Sequence, residues 1–321
     1  MTTTKFPTYN PLNSPTTDRV MTDARAASFT KRSIKTSAKL QGLRLAVSMV
    51  DLTTLEGNDT PEKVKSLCKK AIHPYAGPLP PNAPPIPHVA ALCVYPNMVK
   101  IAAAELKSTT IHIASVATAF PSGQYPLAVR LADVENALAY GADEIDMVIN
   151  RSAFLAGRYD EVAQEIREVK QTIASRAHLK IIFETGELET YDNIRRMSDL
   201  AINAAATASS ERIKDGEVFI KTSTGKVSPA ATLPVTLIML QAIRDHYLKT
   251  GSKIGMKPAG GIRTAKQALH YLVAVKETLD ETWLNPTLFR FGASSLLNDL
   301  LRQIIKQQTG TYPATHDFSS D

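Results

Sequence analysis

After its first apolar run the chain reads DLTTLEGND, Asp51 to Asp59. An open, doubly wound sheet that holds a nucleotide carries a glycine-rich turn at this place, so that backbone can close on a pyrophosphate. Here a single glycine, Gly57, stands among threonines and carboxylates. The turn weighs against that sheet.

Outward from it, strand-like apolar runs recur along the whole chain: Arg44–Asp51, His88–Tyr95, Ile111–Ala117, Glu144–Asn150, Leu179–Thr185, Glu217–Ser223, Lys253–Ala259 and Leu288–Ser294. Most of the segments between them have helical periodicity. Val162, Ile166, Val169 and Ile173 fall on one face of a helix. Thr264 can cap a helix bearing Ala268, Leu272, Val275 and Leu279. Further helices are expected from near Asn97 and over Leu233–Leu248, where Pro234 suits a first turn. Strands alternating with helices call for a parallel sheet with right-handed crossovers. Eight strands close a barrel that its own side chains can fill. The expected fold is therefore α/β, a (β/α)8 barrel over residues 41–308. An N-terminal arm over 1–40, partly flexible, precedes it, and a polar tail over 309–321 follows. The proline-rich stretch 74–88 reads as a surface insertion between the first helix and the second strand.

Composition narrows the function classes. Of 321 residues, 44% are hydrophobic, enough for a sizeable core, and no run reaches the length of a membrane span. The formal charge is +6, but the basic residues are scattered, with no run and no interleaved aromatics, so no nucleic-acid partner is expected. A site for an anionic small molecule fits better. Two cysteines, Cys68 and Cys93, make no disulfide framework, and a reducing cytoplasm is the expected compartment. The arm has the threonines, serines and basic residues of a transit peptide, but Asp18, Asp23 and three prolines speak against one. A homo-oligomer is left open.

Alternation along strands separates inward from outward positions. Ile145, Met147 and Ile149 form the bulky outer set of one strand, leaving Glu144, Asp146 and Val148 inside. Phe219 and Lys221 share a face opposite Val218 and Ile220, and Gly255 with Lys257 lies opposite Ile254 and Met256. Two lysines and an aspartate thus converge on one interior. A single inward lysine is as well explained by a structural ion pair. Two lysines against one carboxylate favour a reactive amine, because a like charge and desolvation both disfavour the protonated form. An ordinary lysine, pKa ~10.4, is free amine in only about one molecule in 2500 at pH 7. A depressed pKa is the requirement for a Schiff-base lysine.

Turns after the last three strands could hold an anion: Thr224-Gly225-Lys226, Gly260-Gly261 with Arg263 and Thr264, and Gly292-Ala293-Ser294-Ser295. Glycines let backbone N–H groups approach a ligand, and phosphate sites in this architecture commonly follow the last strands. Other signals fail. TSTGKVS lacks the glycine of a nucleotide-binding P-loop, Ile220 standing in its place. The histidines have no metal-ligating spacing, so neither metal nor cofactor is expected. Cys93 reads as core packing.

Several blocks together carry a specific resemblance: VDLTTLEGNDT (50–60), AALCVYP (90–96), ADEIDMVIN (142–150), LKIIFETGEL (179–188), FIKTSTGK (219–226), GMKPAGGIRT (255–264) and FGASSLL (291–297). The chain resembles the deoxyribose-phosphate aldolase family, and its arm and insertion are similar to those of eukaryotic-type members. The resemblance implies a metal-free class I aldolase acting on 2-deoxy-D-ribose 5-phosphate. By motif, Lys221 would form the Schiff base, Lys257 would depress its pKa and join the proton relay, and Asp146 would move protons. Gly225, Lys226, Gly260, Gly261, Gly292, Ser294 and Ser295 would hold the phosphate. Asp51, Cys93, Lys180 and Thr222 would line or support the site. Some bacterial members end in a tyrosine that assists proton transfer; the last tyrosine here is Tyr312.

Overall fold

The computed structural model describes residues 10, 13–208, 211–314 and 318. The remaining parts of the arm and tail lie outside the described residues. The strands are β1 Val50–Thr53, β2 Ala91–Val94, β3 His112–Ala117, β4 Glu144–Val148, β5 His178–Ile182, β6 Val218–Lys221, β7 Gly255–Lys257 and β8 Phe291–Ala293. All neighbours pair in parallel, in the order β7-β6-β5-β4-β3-β2-β1-β8. Bridges from Met256 to Phe289 and from Ala259 to Gly292 bring the two ends of the sheet together. The result is the (β/α)8 barrel that the alternation of runs implied.

Its helices are α1 Arg19–Phe29, α2 Thr36–Ser48, α3 Pro61–Ile72, α4 Pro96–Leu106, α5 Leu127–Ala139, α6 Arg151–Leu155, α7 Tyr159–Ile173, α8 Tyr191–Thr207, α9 Leu233–Thr250, α10 Ala265–Thr278 and α11 Ser295–Thr309. Threonine caps recur at the strand-to-helix turns. Thr60, Thr190, Thr232 and Thr264 accept from Lys63, Asn193, Val235 and Gln267, satisfying N–H groups that a first turn leaves free. Each cap fixes where a helix begins, at the carboxyl end of the barrel.

One apolar layer lies between sheet and helices and includes Ile145, Met147, Ile149, Ile254 and Met256. Inside the barrel the apolar cluster is small, with Leu55, Cys93, Ala114 and Val116 at its centre. Much of the interior is charged instead.

The first run departs from its reading. Arg44–Ser48 is not strand but the end of α2, and β1 starts only at Val50. Leu43, Ala46 and Val47 are the buried positions, a helical spacing that a five-residue run cannot distinguish from a strand. The described arm is helical and tied down. Ser14, Thr17 and Tyr191 bond Asp199, Asp192 and Asp23, while Arg25 and Arg32 pair with Glu277. The proline-rich insertion carries no helix or strand and leans on α2, where Arg44 donates to the Pro84 and Pro85 carbonyls.

Candidate active site

Strand register assembles the interior charges. Lys221 and Lys257 are direct partners across β6 and β7, and Asp146 and Lys180 across β4 and β5. Thr222 locks the first of these pairings, donating to the Ala259 carbonyl at 3.1 Å and accepting from the Ala259 N–H at 2.9 Å. Gly255 is required beneath Phe219, since a Cβ there would lie 2.4 Å from the ring. Lys180 and Arg290 approach that ring, at 5.8 and 5.9 Å from its centroid.

Lys221 Nζ and Lys257 Nζ both reach Asp146 Oδ2, at 2.7 and 2.8 Å. Lys257 also lies 2.6 Å from Asp51 Oδ2. Arg290 joins Asp51 at 2.7 Å to Glu144 at 3.0 Å. Lys180 pairs with Glu144 and stands 3.3 Å from Asp51 and 3.4 Å from Asp146. All seven side chains are buried. Among the described residues of this network, the cations Lys180, Lys221, Lys257 and Arg290 outnumber the carboxylates Asp51, Glu144 and Asp146 by one. Buried unpaired charge is costly, so the network balances best when one amine is neutral.

The surroundings decide which. Burial would raise the carboxyls of Asp51, Glu144 and Asp146, but the adjacent cations hold all three below the usual carboxylate range. Burial would likewise lower Lys180 and Lys257, yet Asp146 and Asp51 overcome it and raise both, Lys257 strongly. Lys221 goes the other way. Burial lowers it, Asp146 alone among the carboxylates resists, and the charge of Lys257 adds to the lowering. The surplus proton is the one on Lys221.

Lys221 is also the network's contact with a cavity of about 610 Å³ at the carboxyl end of the barrel. Gly225, Lys226, Gly260, Gly261, Gly292, Ser294 and Ser295, the first residue of α11, all line it, with Thr224 and Arg263. Gly225, Gly260 and Gly261 have φ of 82, 79 and 82°, a backbone open to glycine and strained for other residues. Across the mouth Lys226 Nζ pairs with Glu56 at 2.9 Å. Cys93 is not in the wall. Its Sγ lies 3.9 Å from Asp146 Oδ2, and burial pushes its thiol up.

A family model for DeoC/LacD family aldolases matches residues 45–302, the barrel almost entire. The chain belongs to this family of aldolases. It is 45% identical to the deoxyribose-phosphate aldolase of Mus musculus over 293 residues, covering 90% of this chain and 88% of that one. The deoxyribose-phosphate aldolase of Agrobacterium fabrum is 42% identical over 258 residues, 80% of this chain and 89% of that one. The tetrameric deoxyribose phosphate aldolase of Aeropyrum pernix has the same fold, with a TM-score of 0.57 at 20% identity, covering 87% of this chain and all of that one.

One member of this aldolase's interior, Arg290, has no place in the sequence reading, and a second, Glu144, has a place but no task. Arg290 sits between Phe289 and Phe291, and the alternation that turns both phenylalanines outward sends it inside with Gly292. Glu144 is the carboxylate that Lys180 and Arg290 share. Tyr312 lies beyond α11, near Arg302 and Lys306. Barrel helices run back toward the amino end, so it is remote from the cavity. Among the described residues no His, Cys, Asp and Glu cluster could hold a metal, and no helix is long and apolar enough to cross a membrane.

Proposed function

We propose that this chain is a deoxyribose-phosphate aldolase, cleaving 2-deoxy-D-ribose 5-phosphate reversibly to acetaldehyde and D-glyceraldehyde 3-phosphate through a Schiff base on Lys221. The observation that carries it is the surplus amine, lowered in pKa, at the floor of a cavity walled by glycine turns and a helix N-terminus.

Neutral Lys221 attacks C1 of the open-chain sugar, and loss of water from the carbinolamine leaves an iminium. A base takes the proton of the C3 hydroxyl as the C2–C3 bond breaks. The bonding pair moves into the iminium and gives an enamine, with glyceraldehyde 3-phosphate departing. Protonation of the enamine carbon and hydrolysis then release acetaldehyde and restore Lys221. Asp146, bonded to both lysines, is placed to exchange protons with them, and Lys257 keeps the amine free. The backbone N–H groups and Lys226 hold the phosphate so that C1 sits over Lys221.

Borohydride reduction with acetaldehyde, followed by peptide mass mapping, should leave an ethyl group on Lys221. A label on any other lysine overturns the assignment. A retro-aldol assay coupled to reduction of glyceraldehyde 3-phosphate tests the reaction itself.

A further inference from the structure

The block LKIIFETGEL contains a buried acid that the chemistry above does not use. Glu184 follows β5, is fully buried, and has φ of 57°. Left-handed backbone at a residue other than glycine is strained, and such strain persists where the surroundings enforce it. Its Oε2 accepts from the Thr224 N–H at 3.3 Å and from the Thr224 hydroxyl. Its Oε1 has no hydrogen-bond partner among the described residues, an unusual state for a buried carboxyl oxygen.

Thr224 passes the contact on. Its Oγ1 accepts from the Lys226 N–H at 3.1 Å, so a chain of bonds runs from Glu184 through Thr224 to the backbone of Lys226. Thr224, Gly225 and Lys226 line the cavity, whereas Glu184 lies behind them. The same segment clamps the turn on both sides. Thr185 N–H donates to the Thr222 carbonyl at 3.0 Å, and a Cβ on Gly186 would lie 2.1 Å from the Pro229 carbonyl oxygen.

We infer that Glu184 is the positioning residue of the anion-holding turn: through Thr224 it sets Gly225 and Lys226 in the arrangement that receives a phosphate. This rests on the reading of the cavity as a phosphate-accepting aldolase site. An acceptor oxygen is what the task needs, since Thr224 presents two donors to it. A glutamine can supply one, and an alanine cannot.

The test compares wild type, Glu184→Gln and Glu184→Ala on 2-deoxyribose 5-phosphate and on unphosphorylated 2-deoxyribose, with inorganic phosphate binding followed by calorimetry. Losing the contact should raise KM for the phosphorylated sugar, and weaken phosphate binding, by about tenfold in Glu184→Ala, the worth of one or two hydrogen bonds. Its kcat/KM on the unphosphorylated sugar should stay at the wild-type level, and Glu184→Gln should restore phosphate binding. Equal losses on both sugars would reduce Glu184 to generic scaffolding and overturn the inference, as would unchanged phosphate binding. Should Glu184→Ala fail to fold, Glu184→Met, which keeps most of the volume and removes both acceptor oxygens, reads the same ratio. A wild type inactive on the phosphorylated sugar would defeat the aldolase reading, while the phosphate calorimetry would still judge Glu184.

Discussion

Replacing Lys257 with methionine removes one charge from the interior and keeps most of the volume. Because both ammonium nitrogens contact Asp146 Oδ2, they are no more than about 5.5 Å apart, the 2.7 and 2.8 Å bonds laid end to end. At an effective dielectric of ~20, two unit charges at ~5 Å repel by about 3 kcal/mol. Each ~1.36 kcal/mol is a factor of ten in protonation. Asp146 lies between the two and screens part of the effect, so the free-amine fraction of Lys221 at neutral pH should fall ten- to a hundredfold. The interior would then hold three cations and three carboxylates with Lys221 protonated, so the fold should survive. The assay is the rate of borohydride trapping with acetaldehyde across neutral to alkaline pH, which reports imine formation before any carbon–carbon bond breaks. The variant should be slow at neutral pH and recover as alkali removes the proton from Lys221. A rate lowered equally at every pH, or an unmoved inflection, would refute the charge argument and leave Lys257 acting as a proton carrier only.

The depressed carboxyls tie stability to acid. Asp51, Glu144 and Asp146 bind fewer protons folded than unfolded, so their contribution is whole above the ordinary carboxylate range near ~4 and drains away as pH falls below it. Urea midpoints taken down to about pH 3 should drop less steeply for Glu144→Gln than for wild type; parallel curves would mean that Glu144 takes no part. Gly255→Ala should lower Tm through a loss of about 1–3 kcal/mol, since the new methyl must displace the Phe219 ring. An unchanged Tm would show that the barrel yields there at no cost.

The convergence of Lys221, Lys257 and Asp146 in the interior was legible because strand alternation is a binary signal. In β4 every second residue is a large apolar one, so the carboxylates between them could only face inward. The same rule applies to Arg290 between its phenylalanines, but the run was read for its apolar content and the arginine passed as strand. Arg44–Ser48 failed for the opposite reason: five residues hold too little of either period to choose between helix and strand. Pairings such as Lys226 with Glu56, 170 positions apart, leave no local trace. Glu184 hid in a recognised block, because what singles it out is a backbone angle and a buried oxygen, neither of which residue type reveals.

The interior also explains why a neutral lysine at position 221 needs company. A barrel of this kind is ordinarily filled with branched apolar side chains; here a layer of it is ionic, held by register between β1, β4, β5, β6, β7 and the Arg290 segment. A lone lysine placed there would be neutralised by burial, but nothing would fix its nitrogen. A lysine with one carboxylate would be fixed and kept charged. With Lys180, Lys257 and Arg290 already matching Asp51, Glu144 and Asp146, Asp146 can still hold Lys221 in place while having no full charge left to keep its proton. Orientation and neutrality, which oppose each other in a simple pair, are reconciled by an odd number of charges.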